Sequence, residues 1–184
     1  MPAAHRKRNI VIVSLVGLPG SGKSTVGRQL ARRLQLPFVD SDHVLEERLG
    51  CSIRSYFERA GEEAFRDQEQ AVLDELTRLP QGVLSTGGGA VLRAANRSCL
   101  KTRTQVVYLK STAEELFRRL RHDTQRPLLQ VADPLARLRE LYTVRDPLYR
   151  EAAHYVIETG RPSVATLVNM IVMQLELAGL LPSM

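Results

Sequence analysis

The stretch that most constrains the fold of this chain is an apolar run followed by a glycine-rich loop and a helical pattern. Residues 9–17, "NIVIVSLVG", are almost continuously apolar, which is typical of a strand buried on both faces of a parallel sheet. Residues 17–25, "GLPGSGKST", match the pattern G-x-x-x-x-G-K-[ST], and Leu30 and Leu34 then recur with helical spacing. A buried strand, this loop and a helix, in that order, predict a phosphate-binding loop in an α/β fold.

The rest of the chain predicts a single α/β domain built from alternating strands and helices. Its 184 residues, of which 43% are hydrophobic and 25% charged, suit one globular domain. Short apolar segments at "LPFVD", "GVLST", "QVVYL" and "HYVIE" are separated by helical patterns, as expected for parallel βαβ units. Apolar residues between positions 164 and 175 have the spacing of an amphipathic helix, so we expect this segment to pack on the core and not to span a membrane.

Charge and cysteine content narrow the expected partners and compartment. The net charge is +6 and the pI is near 9.7, which suits either nucleic acid or a small polyanion. Aromatic residues make up only 5% and no nucleic-acid motif is found, so we expect no nucleic-acid partner. Cys51 and Cys99 provide neither a disulfide framework nor a metal-ligand set, which indicates a reducing cytoplasm. We interpret residues 1–8, with the basic cluster "HRKR", as a solvated tail.

The glycine-rich loop predicts how the chain would hold a nucleotide. Its glycines allow successive N–H groups to wrap phosphate oxygens, and the helix start adds positive potential. Lys23 can reach the β- and γ-phosphates, and the Ser24 hydroxyl can ligate Mg²⁺. A chance glycine-rich turn is the alternative. The residues that we expect to contact the nucleotide here are Gly20, Ser21, Gly22, Lys23, Ser24 and Thr25.

Two acidic residues follow the strand candidate "PFVD". Asp40 and Asp42 are two positions apart, and in an extended chain such residues face the same way, so both carboxylates would project into one site. We interpret Asp40 as the carboxylate on the metal side and Asp42 as the one on the acceptor side. The alternative is that Asp42 merely caps a helix that begins near His43.

Three consecutive glycines, Gly87, Gly88 and Gly89, stand in "LSTGGGAV" after another strand candidate. Glycine is required where something approaches the backbone so closely that a side chain would not fit. A ligand-binding peptide and a plain turn are both consistent with this pattern.

Three arginines lie where an anion would be expected to bind. Arg66 precedes Glu69 by one turn on an apolar helical stripe, so Glu69 can fix its guanidinium for a substrate carboxylate; a surface ion pair is the alternative. Arg145 shares a face with apolar residues, where an arginine needs an anion, in a helix that Pro147 is expected to disturb. Arg126, in the loop "DTQRPLL", suits either a closing finger over phosphates or a solvated loop.

The ordered set "GLPGSGKST", "DSD", "FRDQE", "GGGAV", "RPLL" and "RDPLY" resembles the shikimate kinase family along nearly the whole chain. The resemblance implies a P-loop kinase of the nucleoside-monophosphate-kinase fold, with a five-stranded parallel sheet flanked by helices. It also implies a single kinase domain over residues 1–184, a substrate-binding insert at about 41–70 and a lid at about 120–133.

The resemblance implies roles for the candidate residues. Asp42 would hold shikimate hydroxyls, Arg66 and Arg145 would clamp the shikimate carboxylate, and the backbone of Gly88 would meet the ring so closely that a β-carbon would displace it.

On the nucleotide side, the resemblance places Arg126 near the ATP phosphates, in the lid, and Arg119 near the adenine. The segment "TGRPS" departs from the family pattern, so adenine contacts around Arg161 and Pro162 stay open.

The implied reaction transfers the ATP γ-phosphoryl group to the 3-hydroxyl of shikimate with Mg²⁺, giving shikimate 3-phosphate and ADP in the chorismate pathway to aromatic amino acids. Lys23, Mg²⁺ and Arg126 would neutralise the charge of a loose transition state. Asp42 would orient the hydroxyl, and accepting its proton is the alternative role. Nearby arginines would lower the pKa of Asp42 and make it a weak base, which favours orientation. The alternatives are a gluconate or nucleotide kinase of this fold, a nucleotide-dependent binding protein without turnover, or a basic nucleic-acid binder. We expect a cytoplasmic monomer with no membrane partner.

Overall fold

A parallel five-stranded sheet forms the centre of the molecule. The computed structural model describes residues 11–121 and 131–181. The strand order is β2-β3-β1-β4-β5, and every neighbouring pair is parallel, which confirms the fold predicted from the sequence. The strands are β1 (Ile12–Val16), β2 (Phe38–Asp40), β3 (Gly82–Ser85), β4 (Gln105–Lys110) and β5 (Tyr155–Glu158).

Helices cover both faces of this sheet. They are α1 (Lys23–Leu34), α2 (Ser41–Leu49), α3 (Ile53–Ala60), α4 (Glu62–Leu76), α5 (Ala94–Arg103), α6 (Ala113–Leu120), α7 (Pro134–Ala152) and α8 (Val164–Leu177). Helices α1 and α8 pack on one face, and the others pack on the opposite face. In β1, Ile12 and Val16 enter one core while Val13 and Leu15 enter the other, because successive strand side chains alternate. Burial on both faces explains why the sequence of β1 is apolar almost throughout.

The connections around β1 create a crevice at one edge of the sheet. Strands β3 and β4 lie on either side of β1, so the strand order of the sheet reverses at β1. In open α/β sheets, ligands bind in the crevice at the carboxyl ends of the strands at such a point. Here the segments that follow β1, β2 and β3 begin side by side, since Leu15 pairs with Ser85 and Ser85 pairs with Asp40.

Helices α8 and α7 can be compared directly with the predictions made from the sequence. The buried face of α8 contains Leu167, Ile171 and Leu175, so it is the amphipathic core helix that was predicted. Helix α7 runs from Pro134 to Ala152 with Pro147 inside it, so this proline does not end the helix near Arg145. Among the described residues, no helix has the length and apolar character needed to cross a membrane.

The predicted insert and lid differ in how far the structure describes them. Residues 41–70 contain α2, α3 and the first part of α4. Arg126, most of the 120–133 lid and the 1–8 tail lie outside the described residues.

Candidate functional site

A pocket of about 380 Å³ lies at the carboxyl ends of β1, β2 and β3. Its walls come from three segments: the glycine-rich loop after β1, the β2–α2 junction and the residues that follow β3. The structure therefore brings most of the predicted nucleotide and acceptor residues together. The residues that line the pocket are Pro19, Gly20, Gly22, Lys23, Ser24, Thr25, Asp40, Asp42, Ser85, Thr86, Gly87 and Gly88.

The glycine-rich loop has the backbone conformation of a phosphate cradle. Gly20 and Gly22 have φ angles of 84° and 94°, in the left-handed region that glycine adopts without strain. Gly22 is also the N-cap of α1 and makes no side-chain capping bond, so the start of this helix presents its positive end to the pocket. The Lys23 ammonium group lies over the loop and donates to the carbonyl oxygens of Gly17 (2.8 Å) and Leu18 (3.0 Å). This geometry is suited to binding an anion, as the sequence pattern predicts.

The side chains of Ser24 and Asp40 meet inside the pocket. Ser24 Oγ donates to Asp40 Oδ2 at 2.8 Å, and Ser85 Oγ lies 3.5 Å from Ser24 Oγ. These are the hard oxygen donors that Mg²⁺ prefers, and Mg²⁺ commonly uses only one or two protein ligands plus phosphate oxygens and water. The described residues contain no cluster of three or more His, Cys, Asp or Glu side chains that could hold a metal.

The helix cap at the β2–α2 junction is Asp40, whereas the sequence alternative assigned a cap to Asp42. Asp40 Oδ1 accepts hydrogen bonds from the backbone N–H groups of Asp42 (3.0 Å) and His43 (3.4 Å). The prediction that an extended chain makes Asp40 and Asp42 face the same way is also wrong, because α2 begins at Ser41 and the chain is helical at Asp42. Both carboxylates nevertheless line the pocket, since the first turn of α2 carries Asp42 back over the crevice.

The acidity of Asp42 differs from the expectation. Burial, followed by the negative charges of Asp40 and Glu69, raises the pKa of Asp42 to about 6, and the positive charge of Lys23 opposes this shift. The prediction that arginines lower this pKa is wrong, because Arg66 is paired with Glu69 and desolvation of the Asp42 carboxylate dominates. Asp42 is thus a stronger base than an ordinary aspartate.

Arg66 and Glu69 form a buried ion pair, so the surface-pair alternative is wrong. Arg66 Nη1 donates to Glu69 Oε1 at 2.8 Å, and the Arg66 and Glu69 side chains are only 11% and 1% exposed. The rings of Phe65 and Phe57 lie 5.2 and 5.9 Å from the Arg66 guanidinium carbon. Burial raises the pKa of Glu69, and the charge of Arg66 opposes this shift. Glu69 therefore holds the Arg66 guanidinium in one orientation. In turn, the positive charge of Arg66 stabilises the buried Glu69 carboxylate.

The three glycines leave room for the functional side chains of the pocket. A β-carbon at Gly87 would lie 2.7 Å from Asp42 Oδ1, and one at Gly88 would lie 2.8 Å from Pro19 Cδ and 3.4 Å from Arg145 Nη1. The segment also contains turns, in which Ala90 N–H donates to the Gly87 carbonyl and Leu92 N–H donates to that of Gly89 (3.1 Å each). The segment therefore contains turns and is closely approached by protein side chains, and a ligand at this peptide stays a prediction.

At Gly89, a β-carbon would lie 2.6 Å from Arg66 Cζ. We expect Gly89→Ala to raise the KM for the acceptor by about tenfold, because the new methyl group forces the Arg66 guanidinium away from its position. The KM for ATP should stay within about twofold of the wild-type value, since Gly89 is not part of the phosphate loop. Steady-state kinetics with each substrate varied in turn measure both values. Equal increases in the two KM values would contradict this steric interpretation.

Arg145 lies on α7, and its guanidinium group comes close to the glycine triplet. It is partly buried, and its Nη1 is the atom that a β-carbon at Gly88 would approach. Leu138 and Leu141 on the same helix are buried, as the sequence pattern predicted. The two predicted arginines therefore flank one short segment, with Arg145 beside Gly88 and Arg66 beside Gly89.

Arg119, at the end of α6, contacts the phosphate loop. Its Nη1 donates to the Gly20 carbonyl at 3.3 Å and its Nη2 donates to the Thr159 carbonyl at 3.0 Å. Arg119 thus joins the loop to the segment after β5, which contains Arg161 and Pro162.

Two residues without a role predicted from the sequence hold the segment that follows β3. Thr86 Oγ1 donates to the Leu15 carbonyl at 2.9 Å and ties the segment after β3 to β1. Tyr149 OH donates to the Gly88 carbonyl at 2.5 Å. The position of Tyr149 four residues after Arg145 is a helical-face signal that could have drawn attention to it.

Comparisons with known proteins agree with this geometry. Residues 19–176 match the sequence profile of the shikimate kinase family. The shikimate kinase of Paracidovorax citrulli is 62% identical over 173 residues, which cover 92% of this chain and 94% of that protein. The shikimate kinase of Ralstonia nicotianae is 57% identical over 168 residues, which cover 91% and 88% of the two chains.

Solved structures agree as well. The structure of the shikimate kinase from Acinetobacter baumannii in complex with shikimate superposes with a TM-score of 0.88 at 47% identity, covering 94% of this chain and 96% of that one. The Aquifex aeolicus shikimate kinase has a TM-score of 0.78 at 34% identity, covering 92% and 98%. These relationships exclude the gluconate kinase, nucleotide kinase and non-catalytic alternatives. The chain therefore belongs to the shikimate kinase family, and it is an ATP-dependent kinase that phosphorylates shikimate.

Proposed function

We propose that this chain carries out the transfer of the ATP γ-phosphoryl group to the shikimate 3-hydroxyl inside the pocket at the carboxyl ends of β1, β2 and β3. The observation that carries this proposal is that one cavity contains a phosphate-binding loop, a serine–carboxylate pair and a second carboxylate, Asp42. Donor and acceptor would then meet with little solvent between them. Positioning and charge neutralisation supply most of the catalysis in phosphoryl transfer.

The nucleotide phosphates would bind along the glycine-rich loop. The N–H groups of the loop and the positive end of α1 would contact the phosphate oxygens, through Gly20, Ser21, Gly22, Ser24 and Thr25. The Lys23 ammonium group, which already lies over the loop, would neutralise charge on the transferring group. We propose the same for Arg126, which lies outside the described residues, and a contact with the adenine for Arg119.

Mg²⁺ would bind between the phosphates and the Ser24–Asp40 pair. The hydroxyl of Ser24 and the carboxylate of Asp40 are within hydrogen-bond distance of each other, so both oxygens can face one ion. When bound, Mg²⁺ neutralises phosphate charge.

Shikimate would occupy the part of the pocket beside the three glycines. Arg66 and Arg145 would bind its carboxylate, because both guanidinium groups lie beside the triplet and guanidinium groups bind carboxylates with charge-assisted bonds. Asp42 would hold and orient hydroxyls of the ring, and the backbone of Gly88 would form its floor.

All of these groups come from one chain, so a monomer suffices for the proposed reaction. We propose a cytoplasmic monomer whose partners are ATP and shikimate, without nucleic acid or membrane, in which residues 41–70 bind the substrate and residues 120–133 close over the phosphates.

A coupled assay of ADP release against several acceptors tests this function. We expect ADP release with shikimate to exceed that with gluconate or a nucleoside monophosphate by at least about a hundredfold, because shikimate would contact the two arginines through its carboxylate and Asp42 through its ring hydroxyls at the same time. Replacing Mg²⁺ with EDTA should abolish the release. Comparable turnover with gluconate would contradict the acceptor assignment, and turnover in EDTA would contradict the metal assignment alone.

A further inference from the structure

The carbonyl of Gly88 is held by a side chain from a distant part of the chain. The carbonyls of Gly87 and Gly89 accept from backbone N–H groups three residues later, within the local turns. The Gly88 carbonyl instead accepts from Tyr149 OH on α7, at 2.5 Å and 61 positions away in sequence.

The ring of Tyr149 has little freedom to move. The side chain is fully buried, and the Tyr108 ring lies with its centroid 5.0 Å away. Tyr108 OH donates to Asp146 Oδ1 at 2.7 Å, and Asp146 also accepts from Arg150. Burial raises the pKa of the Tyr149 hydroxyl, so that it stays protonated and remains a donor. The hydroxyl is thus a fixed donor aimed at one carbonyl.

A fixed donor has a large effect at this peptide, because glycine on both sides removes most steric limits on its rotation. The described peptide bonds are trans, so the Gly88 carbonyl and the Gly89 N–H point in opposite directions across one rigid plane. Holding the carbonyl toward α7 therefore also sets the direction of the Gly89 N–H and the plane that faces the pocket.

Tyr149 also lies one helical turn after Arg145. The two side chains share a face of α7, since residues four apart are neighbours on a helix, and the charge of Arg145 acts on the Tyr149 hydroxyl. The same helix thus carries a group that holds the Gly88 peptide and a guanidinium that lies beside this peptide.

We propose that Tyr149 is a positioning residue of the acceptor site: its hydroxyl holds the Gly88–Gly89 peptide in the orientation that shikimate requires and couples that peptide to Arg145. This inference rests on the proposed placement of shikimate beside the three glycines. Tyr149 acts through the peptide and contacts neither ATP nor the transferring group.

The test is the variant Tyr149→Phe, which removes the hydroxyl and keeps the ring. We expect the KM for shikimate to rise about three- to tenfold, the effect of one neutral hydrogen bond. The kcat and the KM for ATP should stay within about twofold of wild type, because loss of uniform acceptor binding changes only the acceptor KM.

Tyr108→Phe is the matched control. It removes a buried tyrosine hydroxyl from the same pair of rings and breaks a comparable hydrogen bond, to Asp146, without touching the triplet. Both variants should lower the unfolding midpoint by about 2–4 °C, but only Tyr149→Phe should raise the KM for shikimate. If the two variants have the same KM for shikimate, or if Tyr149→Phe raises both KM values equally, the proposal is overturned.

Arg145→Ala separates this inference from the proposed acceptor site. An increased shikimate KM in Arg145→Ala together with an unchanged KM in Tyr149→Phe would overturn the role of Tyr149 alone. Unchanged values in both variants would overturn the placement of shikimate itself.

A measurement on the wild-type protein does not depend on the folding of any variant. The chain has 12 glycines, so NMR spectra of protein labelled with ¹⁵N-glycine are simple. We expect the amides of Gly88 and Gly89 to be as rigid before shikimate is added as the glycines within helices and strands. Amides that become ordered only after shikimate binds would show that Tyr149 does not preorganise the peptide, and the proposal would fail.

Discussion

Replacing Lys23 with alanine is expected to lower kcat by about a hundred- to a thousandfold, the usual effect of losing one charge-stabilising donor at a transition state. The ammonium group of Lys23 lies over the phosphate loop, bound to the carbonyls of Gly17 and Leu18. In the proposed site its charge would act on the transferring phosphoryl group, so the loss should appear in kcat more than in either KM. Steady-state kinetics of the purified variant, with its unfolding midpoint, measure this effect.

Lys101→Ala provides the matched control for this variant. Lys101 Nζ also donates to a backbone carbonyl, that of Glu151, at 2.9 Å, but Lys101 does not line the pocket. We expect its kcat to remain within about twofold of wild type. Near-normal turnover in folded Lys23→Ala would contradict the assignment of the loop as the phosphate site.

Removing either arginine beside the glycine triplet should weaken shikimate binding by about ten- to a hundredfold, as expected for a charge-assisted hydrogen bond worth about 1.5–3 kcal/mol. The KM for shikimate should therefore rise in Arg66→Ala and in Arg145→Ala, with a much smaller change in the KM for ATP. Arg93→Ala is the control, because Arg93 pairs with Glu63 and Asp67 and is not among the nearest neighbours of a β-carbon placed at any of the three glycines.

A shikimate analogue with a neutral group in place of the carboxylate shows whether these arginines bind that carboxylate. The wild-type enzyme should bind the analogue poorly, and the two variants should bind it no worse than wild type does. If each variant lost as much affinity for the analogue as for shikimate, the arginines would not recognise the carboxylate.

The two arginine variants should differ in stability although they share an effect on binding. Arg66→Ala leaves Glu69 buried without its partner, a change that typically costs about 3–5 kcal/mol. Arg145 is only partly buried, so Arg145→Ala should destabilise the fold less. Urea unfolding of both variants, measured without substrate, separates this structural role of Arg66 from its role in binding.

The sequence by itself determined the features that depend on neighbours along the chain. The strand, loop and helix of the phosphate site occupy adjacent residues, and backbone preference with glycine spacing suffices to predict their geometry. The pairing of Arg66 with Glu69 follows from helical spacing alone. The number of strands in the parallel sheet and the family came from the resemblance, which uses motifs spread over nearly the whole chain, whereas the strand order came from the structure.

Only the tertiary structure decided the properties that arise where distant segments pack together. Burial against the pocket, with the charges of Asp40 and Glu69, raises the pKa of Asp42, and sequence reasoning gave the opposite direction because desolvation is not visible in the sequence. The helix capped by Asp40, the space that the glycines leave for Asp42 and Arg66, and the bond from Tyr149 to Gly88 likewise depend on packing across the fold. Each of these contacts depends on how the sheet brings its strand ends together. Local residue patterns do not predict which distant segments will lie next to each other.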